Sequence, residues 1–91
     1  MKERQREKQR TTVSIYGQQY TVAGYDSPEY MKEVAAEIDA KMRELRKVNP
    51  YLDTTRLAVL TAVNVMDDFK KLEEYIRYLE QQRLTGDEKN A

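Results

Sequence analysis

The side chains of this protein that could do chemistry are carboxylates, hydroxyls, amides and cations, because the sequence contains no Cys, His or Trp. Without Cys and His there is no thiol nucleophile, no Ser–His pair and no Cys/His metal site. The carboxylates do not compensate, since Asp67 and Asp68 are neighbours in sequence and do not face each other across a site. Asp26, Ser27 and Asp53 stand where helices are predicted to begin and are interpreted as caps. We therefore expect no enzyme activity, no catalytic residues, no metal site and no cofactor.

Cations are the remaining candidates for function, and they are concentrated in one stretch. Lys41, Arg43, Arg46 and Lys47 form what we call the basic cluster. In a helix, the last three share the face turned away from the apolar residues. This pattern predicts an exposed surface for an acidic partner; the alternative is that these cations only complement the negative end of the helix dipole. Because 16 basic residues balance 16 acidic ones, the whole chain has no net charge to attract nucleic acid or membrane.

The elements that position these residues begin with a β-hairpin at residues 11–23. Apolar and polar residues alternate on both sides of Gly17, which is typical of paired strands with one buried face. A two-residue loop at Gly17 and Gln18, with Gly first, predicts a type II′ turn. This register pairs Val13 with Val22 and puts the apolar side chains on one face. A helix must cover that face, because a lone hairpin is marginal in water.

The first helix is predicted at residues 27–48. Ser27 is a good N-cap, and Pro28 suits the first helical position. The alternative is a capping box that starts one residue earlier, at Asp26. Pro50 ends the helix because it pushes the residue before it out of the α region.

The second helix is predicted to start at Thr54, capped by Asp53, and to run to about Leu84. Residues 57–66 are apolar nearly all round, so one neighbouring surface cannot cover them. From Phe69 onward the apolar residues recur only at alternating spacings of three and four, which is the a/d seam of a short coiled coil. We therefore expect a symmetric oligomer, held mainly by residues 57–66, rather than an ordinary amphipathic helix packed only on its own domain. The predicted oligomer interface consists of Leu57, Leu60, Val63, Met66, Phe69, Leu72, Ile76 and Leu79.

The sequence thus predicts an α+β fold in which an N-terminal β-hairpin packs on a helix and a long helix ends in a short coiled coil. Residues 1–10 are charged and are predicted to be a disordered arm. Residues 11–66 form the predicted head, residues 67–85 the coiled-coil extension, and residues 86–91 a frayed tail. No stretch has the apolar length of a membrane span or the pattern of a signal peptide. We therefore expect a soluble cytoplasmic protein with no membrane insertion.

The order of these segments resembles a known family. The segments that carry the resemblance are VSIYG at 13–17, YMKEVA at 30–35, IDAKMREL at 38–45 and RLAVLTAVNVMDD at 56–68. Across about residues 11–84 this set is similar to the ZapA family of bacterial cell-division proteins. The resemblance implies a small head with a coiled-coil tail and assembly into dimers and dimers of dimers. We expect the coiled coil to be shorter here than in many members.

The resemblance also implies a partner, the filaments of FtsZ, the tubulin-like GTPase of bacterial division. Members of the family bind and cross-link these filaments, which places them in the cytoplasm at the mid-cell division site. Since the filament is acidic, the basic cluster is the first candidate contact. The hairpin turn at Gln18, where some members carry Arg, is the second.

The strongest alternative is a dimeric DNA-binding protein of the ribbon-helix-helix type. A basic arm, a strand and two helices in a symmetric dimer would suit that class. The first strand, however, is followed by a tight turn and a second strand instead of a helix. The outward face of the hairpin offers Thr12, Ser14, Thr21 and Tyr16, with no Arg or Lys for phosphates. We therefore expect no nucleic-acid binding.

Overall fold

Two strands and two helices follow one another in the predicted order. The structure, a computed structural model, describes residues 7–90 and the side chains of residues 7–85. Its elements are strand β1 (Gln9–Ile15), strand β2 (Gln18–Gly24), helix α1 (Pro28–Val48) and helix α2 (Thr54–Asn90). The strands form a two-stranded antiparallel sheet. The prediction of an α+β fold with an N-terminal hairpin before two helices is therefore confirmed.

The hairpin turn differs from the prediction. Tyr16 and Gly17 form the loop, with φ angles of 51° and 80°, and Ile15 pairs with Gln18. Positive φ at both positions is the pattern of a type I′ turn, so the predicted type II′ turn at Gly17 and Gln18 is wrong. The partner of each residue shifts by two positions, which preserves the faces of the strands: Val13 lies opposite Tyr20.

The first strand also begins earlier than the sequence predicted. Gln9 pairs with Gly24, and Arg10 pairs with Ala23. These two residues therefore belong to β1 and not to a disordered arm, because β2 extends far enough to pair with them. Of the rest of the predicted arm, residues 7 and 8 belong to neither a helix nor a strand, and residues 1–6 lie outside the described residues.

Helix α1 has the predicted ends. The Ser27 hydroxyl accepts a hydrogen bond from the N–H of Tyr30 at 3.1 Å, and Pro28 occupies the first turn. This geometry confirms the Ser27 cap over a capping box at Asp26. At the other end, the side chain of Asn49 donates to the carbonyl of Leu45 at 3.0 Å and satisfies one of the last helical carbonyls.

Helix α2 starts as predicted and ends later. The Asp53 carboxylate accepts the N–H of Arg56 at 2.7 Å, which confirms the cap. The helix then continues through Gly86 to Asn90, whereas the sequence predicted an end near Leu84 and a frayed tail at residues 86–91. One Gly disfavours a helix by only about 1 kcal/mol, which does not end it here. Ala91 lies outside the described residues.

The chain divides into two compact units, one ending at Thr61 and the other beginning at Ala62. The core of the first unit contains one side chain from β1, two from α1 and one from the first turns of α2. These are Val13, Ala35, Met42 and Leu57, each no more than 5% exposed. In the second unit, every described side chain is exposed except that of Asn64. None of the described helices has the length and apolarity needed to cross a membrane.

Gly17→Ala is expected to lower the free energy of unfolding by about 1 kcal/mol, because a Cβ disfavours the left-handed conformation. Urea unfolding at one fixed protein concentration measures the change. Nothing lies within 4 Å of a Cβ built at Gly17 or at Gly24, so sterics do not distinguish the two positions. Gly24 lacks the positive φ, and Gly24→Ala is the matched control, expected to change stability by less than about 0.5 kcal/mol. Equal losses for both variants would contradict the backbone explanation.

Candidate partner-binding surface at the hairpin turn

The hairpin turn is held against the second half of α1 by a carboxylate. The side chain of Asp39 accepts the backbone N–H of Tyr16 through Oδ1 at 2.5 Å. The same carboxylate accepts Nε of Arg43 at Oδ2, at 2.9 Å, and Nη2 of Arg43 at Oδ1, at 3.4 Å. Asp39 thus joins a turn residue to a residue of the basic cluster.

A second arginine reaches the same turn. Nη1 of Arg46 donates to the hydroxyl of Tyr16 at 3.1 Å and to the carbonyl of Leu52 at 3.5 Å. The guanidinium of Arg43 lies 5.1 Å from the centroid of the Tyr16 ring, within the range of a cation–π contact. We call Tyr16, Asp39, Arg43 and Arg46 the turn cluster.

The turn cluster corrects the prediction that Arg43, Arg46 and Lys47 form a free face turned away from the core. That prediction follows from the helical positions of the cations relative to the apolar residues of α1 alone. The hairpin turn, however, reaches over the side of the helix that carries Arg43 and Arg46. Both arginines therefore help to hold the hairpin on α1, and Arg46 is half-buried.

The other three predicted contact residues are placed differently. Lys47 is exposed, and its side chain makes no hydrogen bond or ion pair with the described residues. Gln18 is exposed beside the turn, and its backbone pairs with Ile15. Lys41 is half-buried, and its ammonium lies 3.8 Å from the carboxylate of Glu44. Two predicted contact residues, Arg43 and Arg46, therefore meet at Tyr16.

Hydrogen bonding changes the acidity of the carboxylate in the turn cluster. The hydrogen bond from Arg43 and that from the Tyr16 N–H hold the pKa of Asp39 below its ordinary value. The same bond to Asp39 raises the pKa of Arg43. Asp39 and Arg43 are thus both charged at neutral pH, and the pair carries no net charge.

Sequence reasoning did not single out Tyr16 and Asp39. The spacing of Asp39 and Arg43 by four residues is a usable signal, because it brings the two side chains together on one helix face. No local signal joins Asp39 to Tyr16, which lies 23 residues away in the sequence.

The predicted oligomer interface is divided between the two units. Leu57 is 0% exposed in the single chain, so it belongs to the core and its prediction as an interface residue is wrong. Leu60 is half-buried. The remaining six side chains, those of Val63, Met66, Phe69, Leu72, Ile76 and Leu79, are 45–59% exposed.

Comparison with known proteins identifies the family. The family model described as "Cell division protein ZapA" matches residues 11–89. The chain belongs to the ZapA family. A ZapA cell division protein of Halalkalibacterium halodurans is 99% identical over 91 residues, which is 100% of both chains. The ZapA protein of Bacillus velezensis is 53% identical over 75 residues, 82% of this chain and 88% of that protein.

A solved structure supports the same assignment. The ZapA mutant dimer from Geobacillus stearothermophilus matches with a TM-score of 0.68 and 45% sequence identity. The match covers 84% of this chain and 88% of that one. The predicted resemblance to the ZapA family is therefore confirmed from both sequence and fold.

Proposed function

We propose that this chain is a non-enzymatic cell-division protein that self-associates and binds FtsZ filaments, which it cross-links or bundles. The observation that carries the proposal is the exposed apolar face of the second unit. Six predicted interface side chains are 45–59% exposed there. Large exposed apolar patches mark interaction sites. A second copy related by two-fold symmetry would cover this face and duplicate every surface of the first unit.

Self-association is what would turn a binding protein into a cross-linker. Two identical filament-binding surfaces in one assembly can engage two filaments, and the combined attachment is stronger than either contact alone. The dimeric state of the related Geobacillus stearothermophilus protein supports a homodimer here. A dimer of dimers would add two further surfaces of the same kind.

The contact with the filament is proposed at the hairpin turn and the neighbouring basic cluster. Arg43 has a side chain that is 58% exposed despite its pairing with Asp39. Lys47 and Gln18 are exposed as well, and Arg46 adds a half-buried cation beside them. Lys41 contributes less, because Glu44 lies beside its ammonium group. Positive charge at this surface favours an acidic filament and speeds the encounter.

The proposed partner also implies a location. FtsZ filaments assemble in the bacterial cytoplasm at the division site. A protein that cross-links them is therefore expected in the cytoplasm at mid-cell.

DNA binding remains the alternative, and one feature of the fold adds to it. Arg10 lies in β1 and is exposed, so the hairpin carries a cation that the predicted outward face lacked. Proteins that bind DNA well neutralise several phosphates, about 6–10 in strong cases. One strand cation beside exposed Thr12 and Ser14 falls far short of that number. The filament-binding proposal therefore has the better support.

Lys47→Glu is expected to weaken co-sedimentation with FtsZ polymer about fivefold, which corresponds to about 1 kcal/mol for one exposed charge. The side chain of Lys47 holds no other described residue in place, so the fold is preserved. Lys32→Glu, with the same charge change at another exposed position of α1, is the matched control. Equal loss in both variants would mean that overall charge, and not this surface, determines binding.

The wild-type protein provides the primary test of the proposed function. It is expected to pellet with polymerised FtsZ, and the pelleted fraction is expected to fall as salt is added, because screening acts over about 8–10 Å at physiological salt. Absence of the protein from the pellet at low salt would contradict filament binding.

A further inference from the structure

We propose that Asp39 is a positioning residue for partner binding: it fixes the hairpin turn and orients Arg43 to receive a carboxylate of the partner. The proposal rests on the proposed function, because it concerns the same surface. It differs from the sequence interpretation, in which each cation of the basic cluster acts as a free charge. Here the surface is built around an acidic residue.

The first part of this role is to hold Tyr16. Tyr16 has φ of 51°, a conformation that bulky residues rarely adopt. Such a residue persists when its surroundings determine its geometry. The backbone N–H of Tyr16 donates to Asp39, and its hydroxyl accepts from Arg46. These bonds fix both the backbone and the side chain of Tyr16, and with them the direction in which Gly17 and Gln18 face the solvent.

The second part of the role is to orient Arg43. Asp39 accepts from Nε and Nη2, which occupies one edge of the guanidinium. Within the described residues, the Nη1 group of Arg43 keeps its two N–H donors for a ligand. A carboxylate is the ligand that a guanidinium edge recognises best. A side chain already held in its bound geometry loses less conformational entropy on binding, so preorganisation favours affinity.

Asp39 therefore has two opposing effects on an acidic partner. Its charge offsets that of Arg43 and reduces long-range attraction. Its hydrogen bonds place the turn and the guanidinium where a short-range contact needs them. If charge alone governed binding, loss of Asp39 would strengthen the interaction; if positioning governs it, loss of Asp39 weakens it. The opposite signs make the experiment decisive.

The test compares Asp39→Ala with Glu37→Ala in co-sedimentation with FtsZ polymer. Both substitutions remove one negative charge from α1, and Glu37 is exposed with no described side-chain partner. We expect Asp39→Ala to weaken binding about tenfold and Glu37→Ala to leave it unchanged or slightly stronger. Helicity and oligomer mass are measured for each variant to verify that the fold is kept. Equal or stronger binding by Asp39→Ala would overturn the proposal.

A conservative pair of variants separates positioning from stability. Asp39→Asn keeps an acceptor for the Tyr16 N–H and loses the charged partner of Arg43, so we expect binding between those of wild type and Asp39→Ala. Arg43→Lys keeps the charge but cannot bind Asp39 and a second carboxylate along two guanidinium edges. It is expected to bind as weakly as Asp39→Ala. If Arg43→Lys bound FtsZ polymer as strongly as the wild-type protein does, the role given to the guanidinium would be overturned.

NMR supplies a readout that does not depend on FtsZ. The chemical shift of the Tyr16 amide proton is expected to change with pH as the Asp39 carboxylate is protonated. Because the folded pKa of Asp39 is lowered, its contribution to stability is present above the ordinary carboxyl pKa of about 4. That contribution is lost as the pH falls through the lower folded value. A Tyr16 amide insensitive to this titration would overturn the positioning role, whereas failure of wild-type co-sedimentation would contradict the proposed function itself.

Discussion

Leu57→Ala is expected to lower the free energy of unfolding of the first unit by about 3 kcal/mol, among the largest effects of any single substitution in this chain. The side chain of Leu57 is 0% exposed and shares the core with Val13, Ala35 and Met42. Its truncation removes apolar contacts and leaves a cavity, and a small domain has few other buried side chains to compensate. Urea unfolding followed by far-UV circular dichroism measures the loss.

Val48→Ala is the matched control for this experiment. Val48 lies at the end of α1 and is 73% exposed, so its truncation is expected to change stability by less than about 0.5 kcal/mol. The loss in Leu57→Ala is expected at every protein concentration, because the residue packs within its own chain. If Leu57→Ala kept the wild-type stability but raised the dissociation constant of the oligomer, Leu57 would belong to the interface predicted from the sequence.

Signals that act over a few residues were sufficient to predict the elements. Ser27 and Pro28 determine the start of α1, and Asp53 determines the start of α2, because each cap satisfies backbone donors one turn away. The alternation of apolar and polar residues around Gly17 predicted the hairpin and the correct face of each strand. The family followed from the order of these segments along the chain.

The features that were missed depend on residues far apart in the sequence. Tyr16 has a positive φ and its N–H donates to Asp39, 23 residues away in the sequence. Turn propensity includes no such distant contact and favours Gly17 at the first loop position. The burial of Arg46 depends on the same turn, which no helical projection of α1 includes. For Leu57, an all-round apolar pattern does not indicate which side faces the chain's own core.

The second large effect concerns self-association. Wild-type protein is expected to show no folded monomer at low micromolar concentration, because the second unit exposes its apolar face in a single chain. An isolated helix with such a face is marginal in water. Val63→Arg is expected to dissociate the oligomer, since Val63 is 59% exposed in the single chain and an Arg there would be buried, unpaired, in the assembly. An unpaired buried charge costs about 3–5 kcal/mol, which raises the dissociation constant by at least about a hundredfold.

Ile76→Lys tests which end of the apolar face contributes more to self-association. If residues up to Met66 carry most of the association, Ile76→Lys leaves the dimer intact and disturbs only larger assemblies. Gln81→Arg is the control, because Gln81 lies on the helix face opposite the seam and is exposed. Light-scattering mass across a range of concentrations measures all three variants. A well-folded wild-type monomer would contradict the oligomer, and loss of all association in Ile76→Lys would place the main contact in the seam that starts at Phe69.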